Sequence, residues 1–220
     1  MDKAKYRIEV FYKTHDPRSN VITKKLQSLG FTLDTVFISD NYLINENISE
    51  SEAEKGAECL INPVIQEYLI NNIFIPKETF NFAIEIGFLP GVTDNVAHTV
   101  REAFEDKLKK KFDHEKSVFT TTSYFIKGNI DRETIEAITK EMYNPLIQRA
   151  QILPYNDYKE KGMGMNIPIV HISDTPIADQ VSLDVDETEL MSIAKEGIKD
   201  ENGERRGPLA LDKLSMYVIK

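Results

Sequence analysis

The sequence predicts an α+β fold in which one small unit is used twice, followed by an irregular segment with short helices. Three echoes carry this prediction. Asn62-Pro63-Val64-Ile65-Gln66 returns, at an offset of 82, as Asn144-Pro145-Leu146-Ile147-Gln148. Tyr42-Leu43-Ile44 returns at the same offset of 82 as Tyr124-Phe125-Ile126. Arg7-Ile8-Glu9-Val10-Phe11-Tyr12 is echoed, at an offset of 76, by Ala83-Ile84-Glu85-Ile86-Gly87-Phe88. A repeat of this length is too long for a solenoid unit and suits a small domain. The expected organisation is a first unit over residues 1–77, a second over 78–154 and an acidic linker over 155–220. Paired small domains more often present a joint surface than a catalytic centre.

In the first unit, Tyr6, Ile8, Val10 and Tyr12 alternate with Arg7, Glu9 and Phe11, the period-2 pattern of a strand with one buried face. Asp16-Pro17 then supplies an N-cap and a first helical residue, and Val21, Ile22, Leu26 and Leu29 recur at helical spacing up to Gly30. Val36-Phe37-Ile38 and Tyr42-Leu43-Ile44, separated by Ser39-Asp40-Asn41, carry a hairpin signature. Ser49-Glu50-Ser51-Glu52 opens a second helix running to Leu60 or Ile61, with acidic side chains suited to its N-terminus. Asn62-Pro63 stops it, because the residue before proline is pushed out of helical geometry. Val64 to Ile70, then Ile73 to Ile75, supply the closing strand.

The second unit repeats this order. Phe82 to Phe88 is the strand, and Leu89-Pro90-Gly91-Val92-Thr93-Asp94-Asn95 turns into a helix with the stripe Val96, Val100, Phe104 and Leu108. Ser117 to Thr121 and Ser123 to Lys127 form the hairpin, Asn129-Ile130-Asp131 caps a helix burying Ile135, Ile138 and Met142, and Ile147 to Leu153 closes the unit. Strand, helix, hairpin, helix, strand is the split β-α-β, or ferredoxin-like, plan, so the expected fold is two tandem ferredoxin-like units forming a pseudo-dimer. Residues 155–185 show no sustained period. Beyond them, Asp186 starts a helix with Leu190, Ile193 and Ala194 inward, and Pro208 to Lys220 forms another that ends on apolar residues, as if the chain were cut inside an element.

Composition narrows the function classes. A chain of 220 residues that is 41% hydrophobic can fill two small cores or one fused core. A formal charge of -9 disfavours a nucleic-acid partner, whose phosphates demand a basic face. Residues 153–220 hold 8 basic and 13 acidic side chains, more than half of the net charge. Cys59 is the single cysteine, which excludes an internal disulfide and is compatible with a reducing cytoplasm. No run approaches the ~18–20 apolar residues of a membrane span, and Met1-Asp2-Lys3-Ala4 lacks the apolar core of a signal peptide. The expectation is a cytoplasmic protein with no membrane partner.

With this order in place, a family resemblance emerges. The first copy resembles the small PurS-type subunit of phosphoribosylformylglycinamidine synthase in Leu26-Gln27-Ser28-Leu29-Gly30-Phe31 and Asn62-Pro63-Val64-Ile65-Gln66-Glu67-Tyr68. The second copy, in Phe88 to Val96 and in Tyr143-Asn144-Pro145-Leu146-Ile147-Gln148, is similar to the second half of the N-terminal domain of that enzyme's long, single-chain form, PurL. Asp186 to Ala194 and Pro208 to Leu214 are similar to the linker leading into the family's synthetase body. The resemblance implies a place in purine biosynthesis, in a ligase that turns formylglycinamide ribonucleotide into its amidine with ATP, magnesium and ammonia released from glutamine. It further implies that the PurS-like pair bridges the synthetase body and the glutaminase domain. ATP, magnesium and substrate residues lie in the body, and none has a match in this chain, so no catalytic residue, cofactor or metal ligand is expected here. A homodimer is a further partner left open.

The residues themselves offer few candidates for chemistry. Cys59, on a predicted helix without an ordered base, reads as a core or partly buried thiol rather than a nucleophile. His15, His98, His114 and His171 are dispersed without metal spacing and read as surface or capping residues. Gly162-Met163-Gly164-Met165 lacks the Lys-Ser/Thr of a phosphate loop and reads as flexible or partner-docked. The turn with Pro90, Gly91, Thr93, Asp94 and Asn95 leads into a helix N-terminus, and is a structural cap first and an interface or anion site second. Asn62, Pro63 and Gln66, with Asn144, Pro145 and Gln148, are helix stops first and a repeat signature second. The run Lys107 to Lys111 suits a helix C-terminus or an acidic partner surface. A ligand-binding regulatory module is the competing reading of the whole, because paired ferredoxin-like units often bind small metabolites between them, although the sequence shows no dedicated pocket residues.

Overall fold

A computed structural model describes residues 2–113, 117–169, 181–199 and 202–220. Two compact units are present, residues 1–171 and residues 172–220.

The first unit is α+β. Strands β1 (Tyr6–Tyr12), β2 (Thr35–Ile44), β3 (Gln66–Ile70), β4 (Phe82–Phe88), β5 (Val118–Lys127) and β6 (Gln148–Pro154) form one antiparallel sheet in the order β3-β1-β2-β5-β4-β6. Helix α1 (Pro17–Ser28) follows β1, α2 (Glu50–Ala57) follows β2, α3 (Asn95–Leu108) follows β4, α4 (Arg132–Met142) follows β5 and α5 (Tyr155–Lys161) follows β6. Four of the caps fall where the sequence puts them. Asp16, Ser49 and Asp131 each cap the next helix, with Ser49 and Glu52 forming a reciprocal capping box, and Gly30 at φ +94° ends α1.

Each expected hairpin is instead one continuous strand. Ser39, Asp40 and Asn41 lie mid-strand in β2, and Thr120, Thr121 and Thr122 lie mid-strand in β5. The two strands pair along their whole length, from Thr35 opposite Lys127 to Ile44 opposite Val118. A turn in either would break this pairing at the centre of the sheet. Residues that echo in sequence also echo in register. Ile8 pairs with Tyr42 and Ile70, and Ile84 pairs with Tyr124 and Ile152. Asp40 faces Thr122, its own counterpart at the offset of 82, so the two halves meet about that pair.

One sheet face is covered by α1 to α4, and each cluster there draws on both halves. Leu26 of α1 packs with Ile135 and Ile138 of α4 over Val36, Ile38, Ile84 and Ile126. Ala53 and Ala57 of α2 pack with Ala97, Val100 and Phe104 of α3 over Ile8, Val10 and Ile44. Neither half has a helical core of its own. Val21 and Leu29, expected on the buried stripe of α1, are 68% and 49% exposed, and Val96 of α3 is 55% exposed, because the inward positions go to Ser19, Thr23 and Ala97.

The opposite face is covered by connections. Residues 71–81, α5 and residues 162–169 lay Phe74, Phe80, Tyr158, Met163 and Ile167 onto Phe125, Ala83 and Leu43. Helix α5 and the docked stretch after it lie in a region for which the sequence shows no period. Part of that region, 170–180, falls outside the described residues. The closing segment Ile73 to Ile75 is loop rather than strand, since Phe74 caps this apolar layer.

The second unit holds α6 (Glu187–Glu196), a two-residue ribbon β7 (Ile198–Lys199) with β8 (Arg205–Arg206), and α7 (Lys213–Ile219). Leu190, Ile193 and Ala194 are buried as expected, together with Met216. The Arg205 guanidinium spans Glu189 at 2.7 and 2.9 Å and donates to the Gly197 carbonyl at 2.7 Å. Among the described residues no helix is long and apolar enough to cross a membrane.

Candidate functional site

The Leu89–Asn95 turn opens onto a cleft of about 200 Å³. Gly91, with φ +84°, Thr93 and Asp94 line it, while Pro90 and Asn95 flank it. Asp94 organises the site. Its Oδ1 accepts from the Ala97 amide at 2.9 Å, and its Oδ2 accepts from the Thr120 amide at 2.9 Å and hydroxyl at 2.7 Å. The carboxylate therefore caps α3 and ties it to β5, bringing its own negative charge to the helix N-terminus. The cation of the cleft is Arg149, from the edge strand β6, whose buried Nε has no hydrogen-bond partner.

A second cleft, of about 480 Å³, occupies the corresponding place in the first half. At the offset of 82, Phe37 and Ile38 correspond to Phe119 and Thr120, and Glu67 stands where Arg149 stands in the other cleft. Lys13, the counterpart of Leu89 at the offset of 76, lies 3.9 Å from Glu67 and donates to the Pro63 carbonyl at 2.7 Å. Phe11 and Phe74 stack in this cleft with centroids 4.0 Å apart. The two concavities therefore differ in pairing: Glu67 has Lys13 beside it, whereas Arg149 has no ion pair among the described residues.

Between them, on the face covered by connections, lies a buried charged cluster. Arg7, Glu9 and Glu85 are 6%, 1% and 5% exposed. The Arg7 Nε donates to Glu9 at 2.6 Å, its Nη2 donates to Glu85, and its Nη1 donates to the Gly164 carbonyl at 3.1 Å. Asn41 donates to Ser123 at 2.9 Å and Thr121 at 3.2 Å and approaches Glu85 at 3.4 Å. The Phe74 amide donates to Glu9 at 2.9 Å. Glu9 and Glu85 are counterparts at the offset of 76, but the counterpart of Arg7 is Ala83, so one guanidinium serves two carboxylates. Burial pulls the Arg7 pKa down, but attraction to Glu85 and Glu9 outweighs it and holds the group above the ordinary arginine value. For Glu9 burial dominates and pushes the carboxyl up, since the shared cation returns less than desolvation costs. Tyr158, packed beneath, is also raised by burial and donates its hydroxyl to the Phe74 carbonyl at 2.9 Å.

This cluster was not visible as a site in the sequence. Its polar residues alternate with apolar ones and read as a solvent face. The one signal was the recurrence of a glutamate at the same place in both copies.

The repeat signature closes on itself identically in both halves. Asn62 donates its amide to the Gln66 side chain at 2.8 Å, and its own side chain accepts from the Val64 amide at 3.1 Å. Asn144, Gln148 and Leu146 repeat these bonds at 2.8 and 3.0 Å. Pro63 and Pro145 sit inside these brackets, which hold Val64 and Leu146 out, 80% and 83% exposed. The Gly162–Met165 stretch, expected to be flexible or partner-docked, is docked on its own sheet. The Met165 carbonyl accepts from the Ala4 amide at 2.8 Å, and Met163 is buried. Cys59, expected in or near the core, is exposed because α2 ends at Ala57 before reaching it. His15 and His98 are exposed, while His114 and His171 lie outside the described residues. Of the basic run, Lys111 reaches Glu105 at 2.5 Å and Lys107 reaches Glu58 at 3.5 Å.

Among the described residues no cluster of His, Cys, Asp or Glu is arranged to hold a metal ion. The chain matches no protein-family model and no curated protein. What the arrangement offers chemically is recognition: two clefts, one with a guanidinium whose buried Nε has no hydrogen-bond partner among the described residues, and a charged cluster that fastens two connections to the sheet.

Proposed function

We propose that the chain is the N-terminal assembly segment of a phosphoribosylformylglycinamidine synthase, a tandem pseudo-dimer of ferredoxin-like, PurS-like units that bridges the synthetase body and the glutaminase domain. In this reading the ligase chemistry, with its ATP and magnesium, belongs to the body, and residues 155–220 lead toward it. The observation that carries the reading is the matched register of the two halves about the Asp40–Thr122 pair, combined with helix clusters drawn from both. That is the architecture expected if two copies of a small dimeric subunit were joined in one chain. The exposed Val64 and Leu146, raised on identical brackets, supply matching apolar contacts on its two edges. The test is rescue of activity. The full chain is mixed with a synthetase body lacking this segment, together with glutaminase, glutamine, ATP, magnesium and formylglycinamide ribonucleotide. Product from the mixture alone supports the assembly role. No complex and no product would remove the support for it.

A second reading, a ligand-binding regulatory module, is favoured by one observation, the pair of clefts at equivalent positions of the two halves. It requires saturable binding of a small metabolite by the chain alone.

A further inference from the structure

We propose that the cleft beside the Leu89–Asn95 turn binds a small aliphatic α-amino acid, its carboxylate on Arg149 and its ammonium toward Asp94. The proposal rests on the ligand-binding reading and names its site and ligand.

In the first half, the carboxylate of Glu67 has Lys13 beside it at 3.9 Å. In the second half, Arg149 takes the place of Glu67, and Leu89 takes the place of Lys13. The position that carries Lys13 in the first half therefore offers no charge here, and the guanidinium of Arg149 has no ion pair among the described residues. Its Nε is buried without a hydrogen-bond partner, a state that costs free energy unless something accepts from it. Gly87, directly opposite Arg149 on β4, is buried with no side chain of its own. A side chain there would press on Thr121, with a Cβ 2.7 Å from its methyl group. The Thr121 hydroxyl already accepts from Asn41 at 3.2 Å.

A planar, forked cation without a partner suits a carboxylate, which it can bind through two parallel hydrogen bonds. A simple anion would meet repulsion from Asp94 in the same cleft. A ligand carrying a carboxylate and an ammonium together satisfies both groups. Phe88, Val92 and Phe119 give the cleft an apolar wall beside Thr93, His98 and Thr120, and an apolar side chain packs on that wall. The volume of about 200 Å³ sets the size, below the roughly 300 Å³ at which sites for drug-sized ligands begin. A nucleotide is too large, whereas valine or leucine is suitable.

The experiment is calorimetric titration of the full chain with L-valine, with isobutyrate, isobutylamine and AMP as companion probes. Saturable valine binding, weaker or absent for the two half-ligands, is expected. Arg149→Gln should weaken it at least about tenfold, the worth of a charge-assisted hydrogen bond. Leu89→Glu should do the same by giving Arg149 an internal carboxylate, while Glu67→Gln in the other cleft should leave binding unchanged. Thermal melts of each variant report whether it remains folded, and Leu89→Glu keeps the test open if Arg149→Gln does not. Valine binding that survives both variants overturns the site. AMP binding without valine binding overturns the ligand assignment and leaves the ligand-binding reading standing. Binding of none of the probes overturns both.

Discussion

Replacing Arg7 by methionine tests the account of the buried cluster most directly. The substitution keeps the volume of the aliphatic stem but leaves Glu9 and Glu85, 1% and 5% exposed, without their shared cation. Removing one partner of a buried pair costs about 3–5 kcal/mol, and the upper end applies here because two carboxylates are orphaned. The loss must depend on pH. The Glu9 carboxyl already sits above its ordinary value of 4.5, through burial first and the proximity of Glu85 last. Its neutral form therefore favours the fold below pH 4.5, and that contribution is lost as pH rises through the raised folded value. Without Arg7 the folded value rises further, and each added unit is worth about 1.4 kcal/mol at high pH. The deficit of Arg7→Met should accordingly be large at pH 8 and much smaller near pH 4.5, measured by urea unfolding followed by circular dichroism. Adding Glu9→Gln and Glu85→Gln should recover most of the loss at pH 8, because a neutral hydrogen-bonded cluster has no orphaned charge. An equal deficit at both pH values, or no recovery in the triple variant, would refute the reasoning.

Further perturbations probe the packing, capping and brackets of the two halves. A Cβ at Gly56 of α2 would run into the ring of Phe104, which is fully buried on α3, so Gly56→Ala should cost about 1–3 kcal/mol by overpacking despite the helix preference for alanine. Phe104→Ala should cost about 3–5 kcal/mol and unfold both halves in a single transition, read by calorimetry. Asp94→Ala removes three hydrogen bonds and an N-cap and should cost about 1–2 kcal/mol, more than Asp131→Ala, whose side chain holds one amide. Asn62→Ala and Asn144→Ala each open one bracket and should cost about 0.5–1 kcal/mol. Their effects should add in the double variant, because β3 and β6 are opposite edges of the sheet.

What the sequence made legible was local and periodic. Asp16-Pro17, Ser49 with Glu52, Asp131 and Gly30 mark helix ends because a cap is a short-range event between neighbouring residues. Asn144-Pro145 follows directly on the C-cap of α4, whereas α2, expected to run to Leu60 or Ile61, stops at Ala57 and the chain turns before reaching Asn62-Pro63. The error at Ser39-Asp40-Asn41 is more instructive. Those residue types usually signal a turn, yet here Ser39 and Asn41 belong to the buried polar network, and Asp40 is held by Arg18 at 2.8 and 3.0 Å. Polar residues in a central strand contradict the local pattern wherever tertiary partners satisfy them, and such contradictions gather at sites. The same holds for Arg7 and Glu9: alternation set their face but not whether that face meets water or α5 and the 162–169 stretch. Arg149 could not be singled out at all, because its distinction depends on what Leu89 does not provide.

The two halves share a frame without being interchangeable, and the differences fall on charge. Two identical copies about the Asp40–Thr122 pair would place an arginine at position 7 and another at 83, balancing two glutamates, and would give both clefts the same ion pair. This chain has Ala83 instead of a second arginine, packed against Phe80 and Phe125. It has Arg149 and Leu89 where the first half has Glu67 and Lys13. Backbone register and brackets are kept because a one-residue slip would turn every side chain of a strand to the wrong face. Charges in clefts carry no such penalty and are free to diverge. The difference leaves Glu67 of the first cleft paired with Lys13, and Arg149 of the second without an ion pair among the described residues. Recognition should therefore be asymmetric even though the scaffold is repeated.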